Sequence, residues 1–259
     1  MAKTSIAGYD AEHVTIRGKD LVADLMGKVS FTELMLLQLT GKTPSRAQVT
    51  ILDAVLVTIM EHGLVPSAIV TRLTHYGAPE SVQGAIVAGL LGVGDRFAGT
   101  ASECAQVLEK IVLAPVAGRA TVATDLVKDY RSRKRPIPGF GHPIHRDIDP
   151  RSRKLVDIVR AAQSESGGKG GSQVSGDYVA ALETLEQAVV SVIGKRIVTN
   201  VSAAIAVALC EAGVPSKASR GIVLTARCAG LAGHLFEESE TSTGEAMWNA
   251  VTDAVRYEP

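Results

Sequence analysis

GFGHPIHRDIDPR, residues 139–151, carries two glycines, two histidines, two prolines and two arginines within thirteen positions. Four chemistries compete for such a stretch: a metal site, a phosphate cradle, a nucleic-acid patch and a catalytic loop. His142 and His145 stand three apart, a spacing that shares one face of a helix, but Pro143 lies between them and Gly139 and Gly141 precede them. The segment therefore reads as a loop. No third histidine or cysteine stands nearby to complete a tetrahedral site, so no metal is expected. A catalytic loop fits better. Gly139 and Gly141 allow unusual dihedrals and a close approach of backbone to ligand. Pro136, Pro138 and Pro143 stiffen the chain and lower the entropy lost in holding His142 in one place. Asp149-Pro150-Arg151 suits the first turn of a helix, and an arginine there can face the loop and clasp a carboxylate with two parallel hydrogen bonds.

Charge around this loop is concentrated. Between Lys128 and Lys154 nine basic residues face three acids, Asp129, Asp147 and Asp149. The whole chain of 259 residues has 27 basic and 27 acidic side chains, so the rest of it must be acidic by the same margin. One basic segment in a neutral protein suits a compact polyanion better than a polymer, and neither nucleic acid nor a membrane surface is an expected partner. No uncharged apolar run reaches the roughly 18 residues of a membrane span. The opening MAKTSIAGYDAEHV lacks the apolar core of a signal peptide. Cys104, Cys210 and Cys228 sit in apolar runs without metal-type spacing. So sparse and odd a count points to reduced thiols packed as small hydrophobes, and to a cytoplasmic location.

Helical patterns dominate the chain after a short start with β-like alternation. Ser30 and Glu33 form a capping-box signature for a helix closing on Gly41, and Ser45 opens a second that ends near Gly63, with His62 in its last turn. Further helices are predicted at about 66–76, 79–93, 101–113, 116–132, 151–164, 176–194, 200–212, 215–233 and 244–256. SAAIAVALCEAG (202–213) and GIVLTARCAGLAGHLF (221–236) are apolar almost all round, which predicts interior helices. Glu165–Gly176 is rich in glycine and serine and reads as a surface loop without the spacing of a nucleotide-binding loop. The fold class expected is mainly α.

Several segments together carry a family resemblance. GFGHPIHRDIDPR resembles the signature loop of citrate synthases, Gly-Phe-Gly-His with an arginine nine residues on. VTIMEHGLVPSAIVTR is similar to that family's Asp/Glu-His helix end. AGLLGVGDRFAGTASECAQVL resembles the citryl-CoA lyase branch, including the corresponding module of ATP-citrate lyase. RIVTNVSAAIAVALCEAG and TARCAGLAGHLFEE resemble the family's Asn-Val-Asp and Gly-His helices. The five motifs keep the family order over roughly residues 15–240.

The resemblance implies a citrate-synthase-like helical fold with a large domain of residues 1–99 plus 213–259 and a small domain of residues 100–212, forming a homodimer. It implies that His62 hydrogen-bonds the oxygen of an oxaloacetate or citryl portion and that His142 touches the same oxygen or acts beside it. Arg151 and Arg227 would bind its carboxylates, and Arg146 the phosphates of coenzyme A. Asn200 and Phe97 would line the site, Phe97 replacing a histidine of the synthases as in the lyases. The tail offers Arg256 as the one arginine that a neighbouring subunit can borrow. Coenzyme A enters as part of an acyl-CoA substrate beside a small di- or tricarboxylate, and no covalently bound cofactor is implied. One position departs from the pattern. Ser202 stands where the family has its catalytic aspartate, and a serine hydroxyl has no useful pKa near neutrality. Three readings stay open: retro-aldol cleavage of citryl-CoA or a related 3-hydroxy-acyl-CoA, another reaction on an acyl-CoA such as thioester hydrolysis, and a non-catalytic acyl-CoA-binding paralogue.

Overall fold

The computed structural model describes residues 2–95, 99–142, 147–165 and 174–258. Its described residues form a short N-terminal hairpin sheet followed by helices, as the mainly α expectation requires. β1 (Ala7–Tyr9), β2 (Val14–Ile16) and β3 (Lys19–Asp20) pair antiparallel, with Gly8 opposite Thr15 and Ile16 opposite Lys19. Arg17 and Gly18 both take positive φ at the second turn, the geometry a two-residue hairpin demands. The sheet is largely exposed and carries little of the core.

The helices are α1 (Phe31–Thr40), α2 (Arg46–Met60), α3 (Pro66–Gly77), α4 (Val82–Leu91), α5 (Thr100–Leu113) and α6 (Arg119–Ser132). After them come α7 (Pro150–Glu165), α8 (Asp177–Ile193), α9 (Val201–Glu211), α10 (Ser219–Glu240) and α11 (Gly244–Ala254). Their ends follow local chemistry. Ser30 and Glu33 bond reciprocally across the start of α1, and Gly41 closes it in the left-handed region. Ser45 and Gln48 repeat the reciprocal cap at α2. α2 stops at Met60, so His62 lies beyond its last turn rather than inside it.

Two compact units result. The first contains Met1–Val55 and Ala101–Ser219. Its centre is α9, where Ala203 to Leu209 are all buried, packed between α7 and α8, with α6 against α8. The buried Glu211 at the end of α9 accepts from the N–H groups of Gly176 and Tyr178 at 2.9 and 2.8 Å, capping the start of α8. Burial pushes the Cys104 and Cys210 thiols up to about 12, in keeping with a packing role. The second unit contains Leu56–Thr100 and Arg220–Pro259, with α3 against both α4 and α11.

Contacts group residues 1–55 and 213–219 with the middle of the chain. Gln48 of α2 shows why, since its buried amide donates to the Ala212 carbonyl at 3.0 Å. α10 differs from expectation. It runs on to Glu240, and only one stripe, which includes Ile222, Ala226, Leu231, Leu235 and Glu238, is buried, while Ala229, Gly233 and Phe236 are exposed. Small residues raise its mean hydropathy without filling its outer face, so it is amphipathic rather than apolar all round. No described helix is long and apolar enough to cross a membrane.

Candidate active site

In the first unit the glycine loop is stitched to the start of α9. Asn200 N–H donates to the Gly139 carbonyl at 2.9 Å, Gly141 N–H to Val198 at 2.8 Å, and Phe140 pairs with Thr199 as an antiparallel bridge. Asn200 then does two jobs with one amide. Its Nδ2 donates to the Gly141 carbonyl at 2.8 Å, and its Oδ1 accepts from Ser202 N–H at 3.0 Å as the N-cap of α9. Gly139 is required here twice over. Its φ is +84°, and a Cβ would stand 2.7 Å from the Ala203 Cβ and 2.9 Å from the Cys104 Sγ.

Asp149 organises the chain just beyond the loop. Its side chain is fully buried and its two oxygens accept from Arg151 Nε at 3.1 Å and Nη2 at 3.0 Å, a two-point clasp. The same carboxylate accepts from Arg151 N–H at 3.1 Å and from Val201 N–H at 3.0 Å, so one acid serves the N-termini of α7 and α9. Burial pushes its pKa up, but the hydrogen bonds and charge of Arg151 outweigh this and hold it below the ordinary aspartate value. Arg151 Nη2 also faces His142 Nε2 at 3.3 Å. A guanidinium can only donate, so a hydrogen bond at this contact uses the lone pair of His142 Nε2.

The second unit carries His62 and Arg227. Glu61, just past the end of α2, turns its Oε1 back to accept from the N–H groups of His62 and Gly63, both at 2.7 Å. Gly63 takes a φ of +69°, so the chain bends sharply there and leaves the His62 side chain exposed. Gly230 of α10 allows this close packing, because a Cβ would meet the Met60 carbonyl oxygen at 2.1 Å. Arg227, one turn earlier on α10, is partly buried and makes no ion pair or hydrogen bond among the described residues. Burial holds its pKa below the usual guanidinium value, opposed by the negative charge of Glu61. An unsatisfied, partly desolvated guanidinium is a ready receptor for a carboxylate.

The structure thus gathers His142, Arg151, Asn200 and Ser202 in one unit and sets His62 beside the Arg227 segment in the other. Phe97, His145 and Arg146 lie outside the described residues. No described group of three or more histidine, cysteine or acidic side chains has the arrangement of a metal site. A cavity of about 290 Å³ opens beside Asp149 and is lined mainly by α7 and α8, with charges of both signs including Arg153, Arg160, Glu183 and Glu186. Its lining contains neither His142 nor Arg151. Sequence reading missed the organising part of Asp149, although an aspartate before Pro150 is a helix-start signal. It also missed the pairing of Arg72 with His234, although Gly233-His234 belongs to the family-like segment TARCAGLAGHLFEE.

Residues 1–247 match the profile of the citrate synthase C-terminal domain. The chain belongs to the citrate synthase family. Along its whole length it superposes on 95% of the solved citryl-CoA lyase of Hydrogenobacter thermophilus, with a TM-score of 0.85 and 29% identity. The solved ATP citrate lyase of Methanothrix soehngenii, in complex with citrate and coenzyme A, matches the whole chain with a TM-score of 0.77 over 42% of its own length. At 18% identity that likeness speaks for the fold. The citrate synthase of Deinococcus radiodurans is 25% identical over 228 residues, 86% of this chain and 56% of that protein. The chain spans about half the length of the curated relatives it matches. This family membership accounts for the helical fold and relates the chain to citryl-CoA lyase and citrate synthase enzymes.

Proposed function

We propose that this chain cleaves citryl-CoA, or a related 3-hydroxy-acyl-CoA, by retro-aldol chemistry into acetyl-CoA and oxaloacetate or a related 2-oxo acid. The observation that carries this reading is the full-length likeness to a citryl-CoA lyase, at 29% identity and with no large segment unmatched on either side. Within the chain, the closeness of His142 Nε2 to Arg151 supports it. That nitrogen accepts the proton of the substrate's tertiary alcohol. The electron pair of the O–H bond becomes the new carbonyl, the C–C bond breaks, and its electrons pass to the thioester enolate. Arg151, whose Nη1 is left over from the Asp149 clasp, and Arg227 bind the substrate carboxylates in this reading, and His62 holds the oxygen that becomes the carbonyl. The enolate then takes a proton, which Ser202 relays from water. Coenzyme A is part of the substrate, with Arg146 and the basic segment assigned to its phosphates. The homodimer implied by the resemblance and the cytoplasmic location expected from the cysteine count remain part of the same proposal.

The test is direct. Pure protein mixed with citryl-CoA should release oxaloacetate, read by its reduction with NADH and malate dehydrogenase. Measurable coenzyme A binding with no oxaloacetate above background would sink the citryl-CoA assignment. The Ser202 position gives the non-catalytic acyl-CoA-binding reading its one specific support, and that same outcome would favour it.

A further inference from the structure

Arg72 on α3 is 2% exposed, and four acceptors surround its guanidinium, among them the Thr243 hydroxyl oxygen at 3.3 Å. It pairs with Glu238 at 2.9 Å and with Glu237, and its Nε donates to Nδ1 of His234 at 2.9 Å. The donor has no alternative role, so Nδ1 must be the bare nitrogen and the proton of the neutral ring must sit on Nε2. That Nε2 points at Glu61 Oε1, 3.1 Å away, with the His234 side chain only 11% exposed. The same oxygen receives the N–H groups of His62 and Gly63. Three donors converge on one carboxylate oxygen, and the first of them is oriented by a buried arginine. The His62 ring itself makes no hydrogen bond among the described residues, so its place depends on its own backbone.

From this geometry we propose that Arg72 and His234 are positioning residues that act through Glu61 to fix the His62–Gly63 backbone, and with it the His62 imidazole. The effect on catalysis rests on the reading of His62 as a substrate contact; the effect on the backbone does not. Glutamine is the conservative replacement at 234, since its amide offers an acceptor to Arg72 and a donor to Glu61, whereas leucine offers neither.

The experiment uses the full chain, labelled with nitrogen-15. Long-range proton–nitrogen correlation should show His234 protonated on Nε2; protonation on Nδ1 would overturn the proposal. Hydrogen exchange at the His62 and Gly63 amides should quicken by about tenfold or more in His234→Leu and recover in His234→Gln. Unchanged exchange in the leucine variant would overturn it too. With citryl-CoA, His234→Leu should lower kcat by about 100-fold, the scale expected of a misplaced contact, and His234→Gln should restore much of it. The double variant His62→Ala/His234→Leu should be no slower than His62→Ala alone. Multiplying effects would mean that His234 acts elsewhere, and the proposal would fall. If the wild-type chain releases no oxaloacetate, the lyase reading fails while the exchange comparison still decides this one. If His234→Leu does not fold, Glu61→Gln carries the same exchange and rate comparisons, because it weakens the shared acceptor at a partly exposed position.

Discussion

At Ser202 the backbone N–H is already taken by Asn200 Oδ1, one residue inside the N-terminus of α9, and the hydroxyl makes no hydrogen bond among the described residues. The ordinary helical alternative, a hydroxyl bonded back to a carbonyl, is therefore not what the structure shows. An acidic side chain at this helix start has the dipole in its favour, but Asp149 already places a carboxylate on Val201 N–H, so a second acid meets like charge. If Ser202 only fills the place of a lost acid, Ser202→Asp should raise the rate of citryl-CoA cleavage by about 100-fold, the lower end of general acid–base catalysis. A single-turnover measurement checks this, and an equal or slower rate would mean a site rebuilt for other chemistry. The residues around it show what a sequence displays. The loop at 139–142 was legible because its glycines and prolines act locally. Asp149's bond to Val201 spans 52 positions and Glu61's bond to His234 spans 173, and no local pattern announces a partner so far away.

Among the elements, the junction of α10 and α11 carries the most concentrated polar packing. Glu238, near the end of α10, accepts from Thr243 N–H at 2.7 Å, Gly244 N–H at 2.8 Å and the hydroxyls of Ser242 and Thr243, besides Arg72. It thereby ties α11's first turn to α10. Burial pushes its pKa up, but the Thr243 and Ser242 hydroxyls, Arg72 and the Gly244 N–H outweigh that and bring it down to about 2. The folded value lies below the usual 4.5, so the unfolded chain binds the proton more tightly and acid favours unfolding. The stabilisation, about 3 kcal/mol from the size of the shift, is present above pH 4.5 and disappears as the pH falls towards 2. Glu238→Gln should lower the Tm at pH 7, and the gap to wild type should close across that interval when melting is followed by circular dichroism. A gap independent of pH would locate the loss in packing alone. Element positions were easier to read than this junction, because capping pairs such as Ser30 with Glu33 lie within one turn. The end of α10 was misjudged because Leu235 and Glu238 continue a buried stripe beyond Gly233, and only the fold reveals what they pack against.

For the molecule as a whole, charge decides the kind of partner. Net charge is zero, yet the basic segment is only partly neutralised. Arg133 pairs with Asp129 at 2.8 Å and Arg135 with Glu103 at 2.9 Å, whereas Lys128, Arg131 and Lys134 have no carboxylate partner among the described residues. Arg131 stands in the last turn of α6 and Lys134 just after it, where the helix dipole also favours cations, and Lys128 lies about one turn earlier. Such a patch suits a compact polyphosphate at short range, and a chain of zero net charge gives no long-range field to hold a polymer. Coenzyme A binding measured by calorimetry should accordingly weaken by about three- to tenfold between 50 and 300 mM salt, the loss expected when one or two phosphate contacts are screened. Duplex DNA should show no binding at 150 mM salt. Salt-independent coenzyme A binding would place the affinity in the adenine and pantetheine contacts instead, and tight DNA binding would overturn the argument from net charge altogether.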